Sequence, residues 1–333
     1  MHGIDLKDRK LIYYLARNSR EGFSKLAALI GVSKNSVKYR VDRLKKLGVI
    51  DRFLPIINIG LLEWNTFDIF LRLRAKPEEE GPIIEFLKAR PYMVWMASLS
   101  GEWDMILEVA VKDWNMYAGI LADISGFLGE RLDRYETIVA SVIYKVVPLV
   151  RDFYEDLDLP ELEKKRVWGF VKLDETDRNI LWLLSQDGLM PLYKIATQVG
   201  LSPDSVAYRM KKLEKEGVIV SYIPDIDLGA VGYNQYIVII NLKSIPPEKL
   251  ELLRNYLTHN KNIQYGFQGA TRLEIFLNVY TKTPEEIDNL LKDIKSRFFE
   301  HIQDYKYMLV TKNHVYTLFP ENIFKGDKNA GLN

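Results

Sequence analysis

The sequence predicts an α+β chain made of two tandem copies of a winged helix-turn-helix followed by a ferredoxin-like βαββαβ domain. Three observations carry this. The chain repeats itself at an offset of 169 residues; each copy opens with three short amphipathic helices, the last of them basic; and each continues with β-prone runs interleaved with helical stretches. A length of 333 residues already favours more than one domain, at about 150 residues per domain.

The repeat aligns without a gap over roughly sixty positions. Asp5, Asp8 and Arg9 fall on Asp174, Asp177 and Arg178; Ser36-Val37-Lys38-Tyr39-Arg40 falls on Ser205-Val206-Ala207-Tyr208-Arg209; Gly48-Val49-Ile50 recurs as Gly217-Val218-Ile219. The duplication continues more weakly beyond, with Gly101 near Gly269 and Tyr135 near Tyr305. The resulting division is residues 1–62 and 169–231 for the winged helices, 63–149 and 232–320 for the βαββαβ domains, a connector at 150–168 and a tail at 321–333. Charged residues around Pro160 make the connector read as solvated with a short helix, and the tail after Pro320 reads as frayed.

In the first copy, Asp5 caps a helix carrying Leu6, Leu11, Ile12 and Leu15 near helical spacing. A second helix covers Ser24 to Ile30. Gly31 then permits a tight turn, and Ser33 caps a third helix in which Val37, Val41 and Leu44 face the core. Gly48 ends that helix, and Val49 to Ile59 alternates in the manner of a hairpin or wing. In the following domain the runs Thr66–Leu73, Val94–Leu99, Met105–Val111 and Glu136–Val147 read as strands, with helices at Pro82–Ala89 and Trp114–Leu128. Gln235–Leu242 opens the same pattern in the second copy. Apolar residues along both sides of these strands require the sheet face away from the helices to be buried too, against another sheet, either that of the other half or that of a second chain.

A helix-turn-helix with a basic third helix suits the major groove of double-stranded DNA. Candidate DNA-contacting residues in the first copy are Ser33, Lys34, Asn35, Ser36, Lys38, Tyr39, Arg40, Arg43, Lys45 and Lys46. In the second they are Ser202, Ser205, Tyr208, Arg209, Lys211 and Lys212. Lysine and arginine can contact phosphate or guanine edges, Asn35 can pair with adenine, and the serines can donate to phosphate. The alternative is a helix that is basic only for solubility. The copies differ in charge: residues 1–52 hold thirteen lysines and arginines against five acids, residues 170–221 seven against seven. The first copy is therefore expected to supply most of the DNA affinity.

Net charge is +1, so a nucleic-acid surface must be a local patch. The absence of cysteine removes disulfides and thiolate chemistry and suits a reducing cytoplasm. No signal peptide or membrane span is expected, since the apolar run Val139–Val150 is short and interrupted. His2, His259, His301 and His314 lack metal-ligand spacing, so neither a metal nor a cofactor is expected. Asp174, Glu175 and Asp177 cluster at a helix start, where acids complement the helix dipole.

A winged helix-turn-helix followed by βαββαβ resembles the Lrp/AsnC family, the feast/famine transcription regulators. The resemblance is carried by Leu6 to Ile12, Leu29-Ile30-Gly31-Val32-Ser33 with Val37 and Arg40, Leu44 to Ile50, and Ser100-Gly101-Glu102-Trp103-Asp104. It implies a regulator, not an enzyme, that is homo-oligomeric or an intrachain pseudo-dimer. It also implies a small-molecule effector, such as an amino acid, near Gly101, Trp103 and Asp104. From the residues alone Asp104 reads equally as a loop aspartate accepting from neighbouring amides. The stretch Gln268 to Glu274 keeps the glycine but not the aromatic-aspartate pair. Siroheme decarboxylases share the architecture and provide an enzyme alternative, for which His259 and Arg272 would be the nearest candidates beside a tetrapyrrole. A third reading is an interaction module that has lost DNA binding.

Overall fold

The computed structural model describes residues 3–162 and 167–325. The first copy runs α1 (Leu6–Arg17), α2 (Phe23–Ile30), α3 (Lys34–Lys46), β1 (Ile50–Ile57), β2 (Asn65–Leu73), α4 (Pro77–Lys88), β3 (Met93–Ser100), β4 (Met105–Val111), α5 (Trp114–Leu128) and β5 (Leu132–Val146). The second repeats that order as α6 (Glu175–Gln186), α7 (Leu192–Val199), α8 (Pro203–Lys215), β6 (Ile219–Ile226), β7 (Asn234–Leu242), α9 (Pro247–His259), β8 (Ile263–Gly269), β9 (Glu274–Thr281), α10 (Pro284–Phe298) and β10 (Ile302–Tyr316), and ends in α11 (Glu321–Lys325).

The compact units interleave the two copies. Unit 1 takes the chain up to Phe53, the stretch beginning at Ala140, and Tyr222–Leu309; unit 2 takes Leu54–Val139, the stretch leading to Ser221, and the chain from Val310. The contiguous division expected from the sequence follows the repeat, whereas the units follow exchanges of strand. In unit 2, β2 lies antiparallel between β4 and the first part of β5, with Phe67 opposite both Val109 and Val139, and β3 pairs on the far side of β4. In unit 1, β9 lies antiparallel between β7 and β8, and the end of β5 adds to β8, with Ile143 opposite Phe267. Conversely, the end of β10 lies against β3 in unit 2, where Val94 accepts from the Thr317 amide at 2.7 Å and Trp95 donates to Asn313 at 2.8 Å. Each sheet is thus completed by a strand end from the other copy.

One face of each sheet carries its helices. Ile69, Leu107 and Val109 pack with Ile83 and Leu87 of α4 and Ile120 and Ile124 of α5. Val238, Leu277 and Val279 pack with Leu253 and Leu257 of α9 and Leu291 and Ile294 of α10. The opposite faces are buried as well, as their apolar residues require: Phe70, Ile106, Ile237 and Phe276 are all inaccessible.

Several expectations need correction. The helix expected from Pro82 begins at Pro77, because Glu79 accepts from the Lys76 amide at 2.9 Å and three glutamates fill the first turn; Pro82 lies inside it. Val49 to Ile59 forms no hairpin: no turn-forming pair interrupts it, and β1 instead partners β6. In unit 1 Val49 accepts from the Asp227 amide at 3.1 Å, and in unit 2 Val218 accepts from the Asn58 amide at 2.9 Å. The connector is only partly solvated over 150–162, most of its charged residues outward and its apolar ones largely buried. Leu149, Val150, Phe153 and Tyr154 are buried, with short 3-10 turns at Arg151–Phe153 and Glu155–Leu157. Its charged residues had concealed this apolar series. Glu163 to Arg166 lie outside the described residues, as does His2. The tail begins as helix α11, whose Phe324 stacks on Trp182 at 4.8 Å; the tail from 326 lies outside the described residues. Among the described residues no helix is long and apolar enough to cross a membrane, and no cluster of three or more His, Asp or Glu is arranged to hold a metal.

Candidate nucleic-acid interface

The first recognition helix follows from local chemistry. Gly31 adopts the left-handed backbone (φ 67°) that closes the turn after α2, and the Ser33 hydroxyl accepts from the Ser36 amide at 3.2 Å to start α3. Val37, Val41 and Leu44 are buried, which turns the remaining faces outward. Lys34, Asn35, Lys38, Tyr39, Lys45 and Lys46 are exposed, Tyr39 at 68%, and Ser36 is partly so. The Lys45 ammonium lies 5.1 Å from the centre of the Phe53 ring. The structure therefore brings most of the expected residues of the first copy onto one basic helix surface.

Arg40 and Arg43 are partly buried and paired within the protein. The Arg40 guanidinium donates to Asp5 at 2.8 Å and to Asp8 at 2.6 Å; Arg43 donates to Asp8 at 2.7 Å and to the Gly3 carbonyl. Asp8 is fully buried, and a buried carboxylate demands such compensation. Asp5 and Asp8 also form the capping box of α1. Burial opposes the Asp5 charge, but the Asp8 amide and Arg40 together hold its carboxyl below the usual range. These arginines thus fasten α3 to α1. A sequence signal existed, because the repeat retains Asp5, Asp8 and Arg40 together as Asp174, Asp177 and Arg209.

In α8, Ser202 caps the helix by accepting from the Ser205 amide at 3.1 Å, and Ser205, Tyr208, Lys211 and Lys212 are exposed. Arg209 is again a fastener, donating to Asp174 at 2.6 Å and Asp177 at 2.7 Å, and these two carboxylates raise its pKa. Lys212, at the position of Arg43, approaches Glu216 at 3.9 Å. Pro203, Asp204 and Ala207 stand where the first copy has Lys34, Asn35 and Lys38.

The loop between β3 and β4 gathers Gly101, Trp103 and Asp104. Gly101 has φ 142°, a backbone that favours glycine, and its carbonyl accepts from Arg72 at 3.3 Å. Asp104 accepts from the Leu73 amide at 2.7 Å and from Arg72 at 3.0 Å. Trp103 is buried, with Phe70 at 5.9 Å and the Arg134 guanidinium over its ring at 4.8 Å. The amide-accepting role of Asp104 is thus present, and any ligand there must compete with Arg72. In the second copy, Glu274 fills the space above Gly269, where a Cβ would lie 2.6 Å from its side chain. His259 lies at the end of α9 with Nδ1 2.8 Å from the Asn255 carbonyl, and Arg272 lies between β8 and β9.

Helix geometry, caps and basic face define a helix-turn-helix DNA-binding class, and comparison with known proteins agrees. Residues 4–45 match the AsnC-type helix-turn-helix domain and residues 173–220 the winged helix-turn-helix DNA-binding family. The chain is 29% identical over 144 residues to the HTH-type transcriptional regulator FL11 of Pyrococcus horikoshii, covering 43% of this chain and 93% of that one. An HTH-type transcriptional regulator of Mycobacterium tuberculosis is 26% identical over 155 residues, 44% of this chain and 100% of the relative. The crystal structure of the siroheme decarboxylase NirDL superposes with a TM-score of 0.62 over 96% of each chain, at 16% identity, a likeness of fold. The chain is thus similar to Lrp/AsnC regulators, with an AsnC-type helix-turn-helix match in its first half and a winged helix-turn-helix match in its second.

Proposed function

We propose that this protein is a cytoplasmic, sequence-specific DNA-binding transcription regulator in which α3 supplies most of the affinity. The observation that carries this reading is the row Lys34, Lys38, Lys45 and Lys46, exposed with Asn35 and Tyr39 on a capped helix that Arg40 and Arg43 hold in place. Lysines at such positions neutralise phosphate, and each phosphate left without its lysine lowers the salt slope of log K by about 0.9. Replacing Lys34 and Lys38 by alanine should therefore weaken binding, and flatten its salt dependence, far more than the same change at Lys211 and Lys212. Measuring both double variants on one co-purifying genomic fragment at two salt concentrations tests this; equal losses overturn it.

A metabolite such as an amino acid is proposed to modulate binding at Gly101, Trp103 and Asp104, its ammonium group replacing Arg72 on Asp104. Trp103 fluorescence reports it. The enzyme alternative rests on the shared fold of NirDL. Soret absorbance retained after incubation with siroheme and desalting would favour it over a regulator.

A further inference from the structure

We propose that the protein recognises a directional operator: two half-sites of different sequence, read in fixed order by α3 and α8 of a single chain. This rests on the DNA-binding reading above. Regulators that present two identical recognition helices mirror their two-fold symmetry in a palindromic site. Here the scaffold of the two helices is kept while their reading positions differ.

The scaffold is equivalent in detail. Ser33 and Ser202 cap α3 and α8 through the amides of Ser36 and Ser205 at 3.2 and 3.1 Å. Val37, Val41 and Leu44 are matched by buried Val206, Met210 and Leu213. Arg40 and Arg209 reach the equivalent aspartates on α1 and α6. Tyr39 and Tyr208 are exposed alike, at 68% and 71%. Whatever face one helix can present to a groove, the other presents through the equivalent positions.

The reading positions are not equivalent. Lys34, Asn35 and Lys38 give way to Pro203, Asp204 and Ala207, all at the exposed start and outward face of the helix or next to it. Lysine donates to guanine O6 and N7, and an asparagine amide pairs with adenine N6 and N7. An aspartate can only accept, which in the major groove matches the cytosine N4 amine, and the alanine methyl matches the thymine methyl. The first helix therefore favours guanine and adenine on the strand it reads, and the second favours cytosine and thymine. Asp204 also repels phosphate, so α8 contributes discrimination more than affinity. Because one polypeptide carries both helices, their order is fixed and the composite site has a direction.

The test is selection from random duplexes by the full-length protein, alongside a P203K/D204N/A207K variant that gives α8 the reading residues of α3. A reciprocal K34P/N35D/K38A variant guards against loss of folding in the first. The unaltered protein should enrich a site with two unlike arms, and should bind that composite about tenfold or more tighter than an inverted repeat of its stronger arm. The first variant should prefer the inverted repeat. If two chains bind together, an inverted pair of unlike-armed composites supports the proposal equally. Enrichment of a simple palindrome, of a single arm, or of an unchanged motif in both variants overturns directionality while leaving DNA binding standing. Retention of no duplex at any salt overturns both.

Discussion

The two units hold their winged helices with equivalent segments of different chemistry. In unit 1 the segment after β5 is fixed where the Asp152 amide donates to the Lys261 carbonyl at 3.0 Å. Tyr154 then packs on Tyr13 of α1 at 5.0 Å, Arg9 donates to the Phe153 carbonyl at 3.1 Å and pairs with Asp156, and Tyr13 donates to the Pro160 carbonyl at 2.9 Å. In unit 2 the segment after β10 begins with the Asn322 amide donating to the Pro91 carbonyl at 3.0 Å, and Phe324 stacks on Trp182 of α6. Arg178, the counterpart of Arg9, turns back to the Leu173 carbonyl instead. Asp152 gathers Tyr233, Lys261 and Lys282 within 2.9 Å, whereas its counterpart Asn322 donates to the Ala110 carbonyl at 3.0 Å. An ionic latch secures the helix that carries the basic surface, and a largely apolar one secures the other. The same backbone placement can thus be reached with or without charge, but only the ionic version responds to pH.

The largest expected break in this comparison is Phe153→Ala, which empties a fully buried aromatic site and should cost about 4 kcal/mol. Phe324→Ala removes a partly exposed ring and should cost about a third of that; urea unfolding of the two variants measures the ratio. Next come the carboxylates beneath the recognition helices. Asp8→Ala takes one ionic partner from each of two arginines, Arg40 keeping Asp5 and Arg43 keeping only the Gly3 carbonyl, and should cost about 3 kcal/mol. Asp177→Ala takes one partner from Arg209 alone, which keeps Asp174, and about 1 kcal/mol is expected. Comparable losses from these two variants in thermal unfolding would show that Arg43 contributes nothing to the fastening.

The smallest effect is the one that separates the latches by pH. Burial opposes ionisation of Asp152, but Lys282, Lys261 and Tyr233 outweigh it and lower its pKa. Its folded pKa lies below the unfolded value, so its stabilisation is present above the ordinary carboxylate range and is lost as pH falls through the folded value. Asp152→Asn should remove part of the acid-induced loss of stability, and Asn322→Asp should not mirror it. Melting temperature followed from neutral pH into acid for both variants is the measurement, and identical acid limbs in Asp152→Asn and the unaltered protein would refute the ionic assignment.

What could be read from the sequence was what local chemistry decides. Asp5 and Ser33 announce their helices because a cap acts within three residues; the run Met105–Val111 matches β4 as a short apolar stretch buried on both faces, and Trp114–Leu128 matches α5 because burial on one face imposes its period. Pro82 misled, since proline is favoured in a first turn but the Lys76–Glu79 cap set the start of α4 earlier. The partner of β1 and the later partner of β5 were illegible. Ile143 pairs with Phe267, more than a hundred residues away, and no local pattern encodes that choice. Of the expected DNA-facing residues, the lysines of α3 are exposed, because a solvated face is decided by the buried stripe opposite. The pairing of Arg40 was less legible, because its partners lie beside another helix, although the joint retention of Asp5, Asp8 and Arg40 in the repeat encoded them.

The end of β5 belongs to the first copy in sequence and to the second copy's sheet in space. Two separate polypeptides built this way would find each other by diffusion, and their pairing would weaken on dilution. Joining them sets a high effective concentration for the exchange, so the paired state persists when the protein is scarce. A regulator present in few copies per cell would then keep both recognition helices together without relying on its own abundance. A single backbone break between Leu162 and Val167 would return that dependence, so that lowering the protein concentration lowers the melting temperature of the cut form more than that of the intact one.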